Sequence, residues 1–317
     1  MDLRQLEYFV AVAKLGHFTR AADHLHVGQP ALSQAIRRLE REFGSELLDR
    51  TSHPIGLTSA GRALLPHAER VVEAVSAARE EFGLVGGEPH GRVALGVMAM
   101  LGPAEQLITE FHRVHPDVVL VMREEVTSVL IQELVTGQLD AVLATRIDPL
   151  PRQIEYQVAF SEPLVLMTPP GWTDKPQVNI RELDGEVILL PSEGGGVRRI
   201  VESALRRHSV RWRPGPETNE LARQRYLTAD GVGLTIVPQR VAAIPGGPEV
   251  DFIAIEDPPS RDVALMWDAQ RRHSSSVREF LRHARAALDE GLLVEDLPKV
   301  GPGVRADGRR VFRDGMT

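Results

Sequence analysis

The chain has 317 residues, 43% of them hydrophobic and 26% charged, with a formal net charge of −7 and no cysteine. That length suits two or three domains, since single domains cluster near ~100–150 residues. The missing cysteine excludes disulfide scaffolding, thiolate metal sites and thiol redox sensing, and the acidic balance argues against a protein that coats a polyanion.

The first sixty residues read as three short helices and a wing. Leu3, Leu6, Phe9, Val10 and Ala13 form an apolar stripe ended by Gly16, and Ala21 and Ala22 are small enough to let two helix backbones approach closely. After the turn His26-Val27-Gly28, the residues Leu32, Ile36, Leu39 and Phe43 recur at steps of four, three and four, one face of an α-helix. Pro30 suits the first turn of that helix, and Gly28 lies where a cap is expected. The opposite face carries Ser33, Gln34, Arg37, Arg38 and Arg41. This is a helix-turn-helix pattern whose last helix suits a DNA major groove. An arginine-bearing face alone is usually a solvated surface. Across Met1–Thr58, seven Lys and Arg balance seven Asp and Glu, so a DNA contact must come from local placement and not from a basic domain. Leu47-Leu48-Asp49-Arg50-Thr51 and the stretch at Leu57 predict two short extended segments around a tip at Ser52 to Gly56, with Arg50 and Thr51 near a phosphate backbone.

A long helix is expected from about Ser59 to Gly83, where Leu64, Leu65, Ala68, Val71, Val72, Val75, Ala78 and Phe82 repeat at near-helical steps. At ~1.5 Å per residue it spans on the order of 36 Å, long for a helix that packs only on its own domain. Gly83, Gly86-Gly87, Pro89 and Gly91 end it. Strands and helices then alternate. Strands are expected at Arg92–Val97, Asp117–Arg123, Leu139–Thr145, Val187–Leu190 and Leu234–Val237. Helices are expected with Pro103 early and Leu107, Ile108 and Phe111 on one face, and over Ser128–Thr136, Val197–His208, Asn219–Ala229 and Ser275–Leu288. That rhythm predicts open parallel sheets. Tyr156–Thr168 carries the chain from one lobe to a second and Arg261–Asp268 returns it, which leaves a hinge and a cleft able to close on a small ligand.

The run from Leu6 to Pro66 resembles the DNA-binding domain of the LysR-type transcriptional regulators. The resemblance is carried by Ala21-Ala22-x-x-Leu25, Gln29-Pro30-Ala31-Leu32-Ser33, Ile36-x-x-Leu39-Glu40, Gly44, Leu47-x-x-Arg50 and Leu57-Thr58-x-x-Gly61. Gly28 departs from the usual Ser or Thr, and Leu48 from the usual Phe. Weaker signatures extend the likeness to about Leu288: Phe111-x-x-x-His115-Pro116-Asp117-Val118, Gly137-Gln138-Leu139-Asp140 and Ala229-Asp230-Gly231-Val232-Gly233-Leu234-Thr235-Ile236-Val237-Pro238.

The resemblance implies an α/β protein with an N-terminal all-α winged helix-turn-helix. It also implies a two-lobed, periplasmic-binding-protein-like effector domain of open, mostly parallel sheets. The expected organisation is a DNA-binding domain over 1–58, a linker and dimerisation helix over 59–90 and an effector domain over 91–290. In that domain lobe I takes about 91–160 and 262–290, and lobe II about 161–261. A flexible tail is expected over 291–317. Double-stranded promoter DNA, self-association into dimers and tetramers, and contact with RNA polymerase are the partners implied. Ser33, Gln34 and Arg37 are expected at base edges and Arg38, Arg41, Arg50 and Thr51 at the backbone, with Thr19, Arg20, Gln29, Pro30 and Pro54 completing the DNA face. Dimerisation falls to Leu64, Ala68, Val71, Val75 and Phe82.

In this family the cleft holds a small effector, which sits where strand ends and helix N-termini favour an anion. The candidates are Thr127, Ser128, Arg146, Ser192, Arg198 and Thr218, with Met98, Ala99 and Met100 where a hydroxyl residue is usual. The apolar first loop implies an effector with a substantial apolar part. No cofactor or metal is expected, because His112 and His115 lack companions at ligand spacing. No enzyme is expected either, since neither a G-x-S-x-G elbow nor a P-loop occurs and Gly194-Gly195-Gly196 reads as a turn or an anion nest. The rival reading, a solute-binding protein without a regulatory role, fits the two lobes alone. It conflicts with the attached DNA-binding module and with an N-terminus, Met1-Asp2-Leu3-Arg4, that opens no signal peptide. No apolar run approaches the ~20 residues needed to span a bilayer, and the expected location is the cytoplasm, away from membranes.

Overall fold

A computed structural model describes residues 1–52, 54–81, 91–98, 104–291 and 297–301. These fall into two compact units, Met1–His90 with Arg271–Arg278, and Gly91–Gln270 with Glu279–Thr317.

The first unit runs α1 (Leu3–Leu15), α2 (Phe18–His24), α3 (Gln29–Phe43), β1 (Leu48–Asp49), β2 (Gly56–Leu57) and α4 (Ser59–Glu81). A capping box starts α1: Asp2 accepts the Gln5 N–H at 2.9 Å and the Gln5 side chain accepts the Asp2 N–H at 2.8 Å. Leu6, Phe9, Val12, Ala21, Ala22, Leu32, Ile36 and Leu39 form the core between the three helices. The two alanines are fully covered, so α2 lies close against its neighbours. Two expectations for α3 are corrected. Phe43 is 46% exposed, because the apolar stripe runs past the packed surface in the last turn. Ser33 is buried, not on the open face; it shares a flank of the helix with Glu40, seven residues on, which is buried as well.

The start of α4 is capped by Thr58, whose hydroxyl accepts the Gly61 N–H at 3.0 Å. The helix packs on α1 and adds an ion pair, Lys14 to Glu69, at 3.2 Å. Leu64, Leu65, Ala68 and Val72 join the core of their own domain. Ala68 is 1% exposed and therefore not available to a twin helix, a correction that follows from the docking of α4 on α1, while Leu64 is half-buried against the same core. Val71 is 43% exposed and Val75 half-buried; Phe82 lies outside the described residues.

The second unit contains β3 (Gly91–Val97), α5 (Ala104–Val114), β4 (Val118–Glu124), α6 (Thr127–Thr136), β5 (Ala141–Thr145), β6 (Ile154–Thr168), β7 (Gln177–Val178), β8 (Val187–Leu189), α7 (Gly196–Arg207), β9 (Arg213–Pro214), α8 (Leu221–Ala229), β10 (Leu234–Pro238), β11 (Asp251–Ile255), β12 (Ser260–Asp268) and, from Glu279 on, α9 (Ser275–Asp289). The hydrogen-bonded path is β4-β3-β5-β12-β6-β10-β8-β9, with β11 pairing β6 and β7. Both flanks are parallel, β3 with β4 and β5, and β8 with β9 and β10. The middle is antiparallel, because β6 and β12 run in opposite directions between the two halves. At 15 residues β6 serves both halves: Ile154–Pro163 pairs β12, and Leu164–Met167 pairs β10. Two cores result, one around Leu130, Leu134, Val142 and Met266, the other around Leu166, Leu183, Val201 and Ile253. Asp140, from the turn before β5, accepts the Ala94 N–H at 2.8 Å and so extends the ladder with β3.

Candidate functional site

On the first unit α3 presents Gln29, Pro30, Gln34, Arg37, Arg38 and Arg41 outward, and all are exposed, as are Thr19 and Arg20 on α2. Arg37 is anchored by donating to the Ser33 hydroxyl at 3.2 Å. The buried Ser33 thus aims a guanidinium and is not itself presented at a surface. Arg50 is also more committed than expected. It donates to Glu40 at 2.7 Å and its guanidinium lies 5.5 Å from the centre of the Phe18 ring. The other Glu40 oxygen accepts the Leu47 and Leu48 N–H groups at 3.0 and 3.3 Å. One buried carboxylate from α3 therefore fixes the entry to the wing, since buried backbone donors need partners. The wing tip is tied locally. Asp49 accepts the Thr51 hydroxyl and N–H at 2.6 and 2.9 Å, bonds that hold its carboxyl below the usual range. Thr51 and Pro54 are exposed there.

In the second unit a cavity of about 590 Å³ opens between the two halves of the sheet. One half supplies Met98, Glu124, Glu125, Val126, Thr127 and Arg261. The other supplies chiefly Pro191, Val197, Leu221, Gln224, Ile236, Val237, Arg240, Val241 and Ile244. Of the expected effector residues, Met98 and Thr127 line it. The Met98 sulfur accepts from the Thr145 N–H and hydroxyl at 3.1 and 3.2 Å. Ala99 and Met100 lie outside the described residues.

The remaining candidates are not among the lining residues. Arg198 is held by Glu217 at 2.7 Å and Glu202 at 2.8 Å, and the Glu217 bond raises its pKa above the ordinary guanidinium value; it is no free carboxylate partner. Arg146 pairs with Asp148 and Asp262, each at 3.3 Å, and donates to the Tyr156 hydroxyl at 2.9 Å. It lies in a smaller depression of about 450 Å³ with Arg199, Ser203 and Arg207. Ser128 is exposed and its N–H donates to the Gly194 carbonyl at 3.2 Å. Ser192 donates its N–H to Asn219 at 2.9 Å. The Thr218 hydroxyl accepts the Glu220 N–H at 3.2 Å. These loop residues lie away from the cavity wall, and their polar groups bond to neighbouring loop and helix groups.

Sequence reasoning missed the polar centre of the cavity. Arg261 is 2% exposed and donates twice to the fully buried Glu162, at 2.6 and 2.8 Å. The Arg240 N–H donates to the other Glu162 oxygen at 3.1 Å, and its guanidinium stacks 4.3 Å from the centre of the Phe160 ring. Burial lowers the Arg261 pKa, and Glu162 opposes that shift. One carboxylate thus serves two arginines beside apolar walls. The available signal was a charged residue, Glu162, inside the apolar strand pattern of β6.

A winged helix-turn-helix joined to a two-lobed α/β unit with a ligand-sized cavity defines a class: a DNA-reading module under the control of a binding domain. Residues 3–62 match the helix-turn-helix model of bacterial regulatory proteins of the lysR family, and residues 86–289 match the LysR substrate binding domain. The chain belongs to the LysR family and is a DNA-binding transcriptional regulator with an effector-binding domain. It is 33% identical to the uncharacterized HTH-type transcriptional regulator YnfL of Escherichia coli K12, over 91% of this chain and 99% of that protein. It is 30% identical to the hydrogen peroxide-inducible genes activator of Pectobacterium carotovorum subsp. carotovorum, over 84% of this chain and 90% of the relative. Among solved structures, a full-length OxyR variant from Pseudomonas aeruginosa superposes with a TM-score of 0.64 at 26% identity, covering 93% of this chain and 99% of that one.

Proposed function

We propose that this regulator responds to an effector with a substantial apolar body, bound in the cavity between the lobes. The carrying observation is the cavity wall: proline, valine, leucine and isoleucine side chains surround Arg240 and Arg261, which both reach the buried Glu162 behind the wall, Arg261 through its guanidinium and Arg240 through its backbone N–H. Such a site binds an apolar surface and orients one polar end. Some relatives are named for a peroxide response, but a thiol route is closed to a chain without cysteine. The chain works in this reading without catalysis or a cofactor, in the cytoplasm; no described helix is long and apolar enough to cross a membrane. Gln34 and Arg37 read base edges, while Arg38 and Arg41 hold the backbone. Self-association presents two such helices to paired half-sites, and an effector that prefers one lobe arrangement shifts the population that engages DNA and RNA polymerase.

Isothermal calorimetry against two ligand panels tests the effector class. Aromatic and branched aliphatic amphiphiles should bind; heat from small hydrophilic acids alone overturns it. A mobility shift on the DNA upstream of its own gene, run with and without a hit, tests the coupling.

A further inference from the structure

We infer that residues 297–301 belong to the effector site as a strap: Pro298 closes one wall of the cavity, and the bonds that hold it govern how fast a ligand enters and leaves. Pro298 is a lining residue of the cavity. Its carbonyl accepts from the Gln239 side-chain amide at 2.8 Å. Three residues on, the Gly301 N–H donates to the Phe252 carbonyl at 2.7 Å, an antiparallel bridge to β11. Between these anchors Val300 packs on the cluster of Val165, Met167, Val237, Val241 and Phe252. Val237 and Val241 face both ways, since they also line the cavity. Gln239 opens the 3-10 turn Gln239–Ala243, whose residues Arg240, Val241 and Ala243 form part of the cavity wall. The strap is thus fastened to the same turn that builds the site.

The chemistry suits a gate more than a fixed wall. Among the described residues two hydrogen bonds and the Val300 side chain hold the strap; each bond is modest net of water, which suits a segment that opens locally without unfolding the unit. The strap also lies beyond residues 86–289, the stretch matched by the substrate-binding model. It is a feature of this chain over and above that match.

The proposal rests on the cavity being the effector site, and the test separates the two. The probe is 8-anilino-1-naphthalenesulfonate, an apolar anion, with the full chain throughout. Ala243→Trp fills the cavity and should abolish probe binding. Unchanged binding in that variant overturns the cavity reading. Gln239→Ala removes the amide that holds Pro298, and Gly301→Pro removes the N–H that reaches Phe252 and cannot adopt the φ of 154° found there, so it releases that end of the strap; near-UV circular dichroism checks that each is folded. Either should speed probe dissociation in stopped flow by about tenfold while association changes less. Because the chain has no cysteine, Pro298→Cys also places a unique thiol on the strap. N-ethylmaleimide should label it slowly, faster when Gln239→Ala is added, and more slowly with probe bound. If Ala243→Trp blocks the probe but dissociation is unchanged in both strap variants, the strap has no part in gating and the cavity reading stands.

Discussion

An added methyl group shows how little room surrounds the start of α4. A Cβ built on Gly61 would lie 2.0 Å from the Leu47 carbonyl oxygen, backbone that cannot move without shifting the wing. Gly61→Ala should therefore destabilise the first unit by about 1–3 kcal/mol or more, read by urea denaturation. In the second unit the sharpest residue is Glu162. Replacing it with leucine leaves two arginines without their shared carboxylate and should cost about 3–5 kcal/mol. Adding Arg261→Met should recover part of that loss; a double variant as unstable as the single one would show that Glu162 acts through something other than this pair. At the DNA face, Gln34→Ala should alter preference at particular base positions by roughly 1–3 kcal/mol, whereas Arg38→Ala should weaken all sites alike. Binding-site selection with each variant decides between these roles.

Among the elements, α9 and α5 carry a titratable contact. Phe111 of α5 packs edge-on against Phe280 and His283 of α9, and His115 meets Glu279 at 3.0 Å. Burial pushes the His283 imidazole below its ordinary value, with Glu110 opposing. The Arg282 guanidinium bonded to Glu279, helped by His115, holds that carboxyl below the carboxylate range. Because the imidazole is harder to protonate in the fold than in the unfolded chain, the unfolded chain takes up the proton first and stability declines as pH falls below about 6.5. The Glu279 contribution is fully present above the unfolded carboxylate value and is lost as pH falls below it and through the lower folded value. Both signs agree: thermal stability of the effector domain should decline from pH 7 to pH 4. His283→Phe should flatten the upper part of that profile.

Periodicity revealed the helices and most strands, and the glycine and proline punctuation marked their ends. The strands β7 and β9 were not legible, because two residues carry no periodic signal, and β11 was not expected either. The docking of α4 on α1 was hidden for another reason, since a helical stripe looks the same whether its partner is its own domain or a twin. Val71 and Val75 remain the part of that stripe open to pairing. Val71→Asp should weaken self-association in analytical ultracentrifugation without unfolding the first unit.

For the whole molecule, a regulator that reads DNA in pairs should protect two half-sites spaced by whole helical turns in footprinting. An effector should change that footprint, not merely its intensity, if lobe closure resets the assembly. The sequence by itself determined the winged helix-turn-helix, the long strand β6 that serves both halves and the family, because these depend on patterns local to each element. Only the tertiary structure decided which polar residues meet in the cavity. Glu162, Arg240 and Arg261 are far apart in the chain, and burial makes them a unit only where β6, β12 and the turn after β10 converge. The loop residues Ser128, Arg146, Ser192, Arg198 and Thr218 instead bond to groups away from the cavity wall or to their own neighbours, which no spacing along the chain reveals.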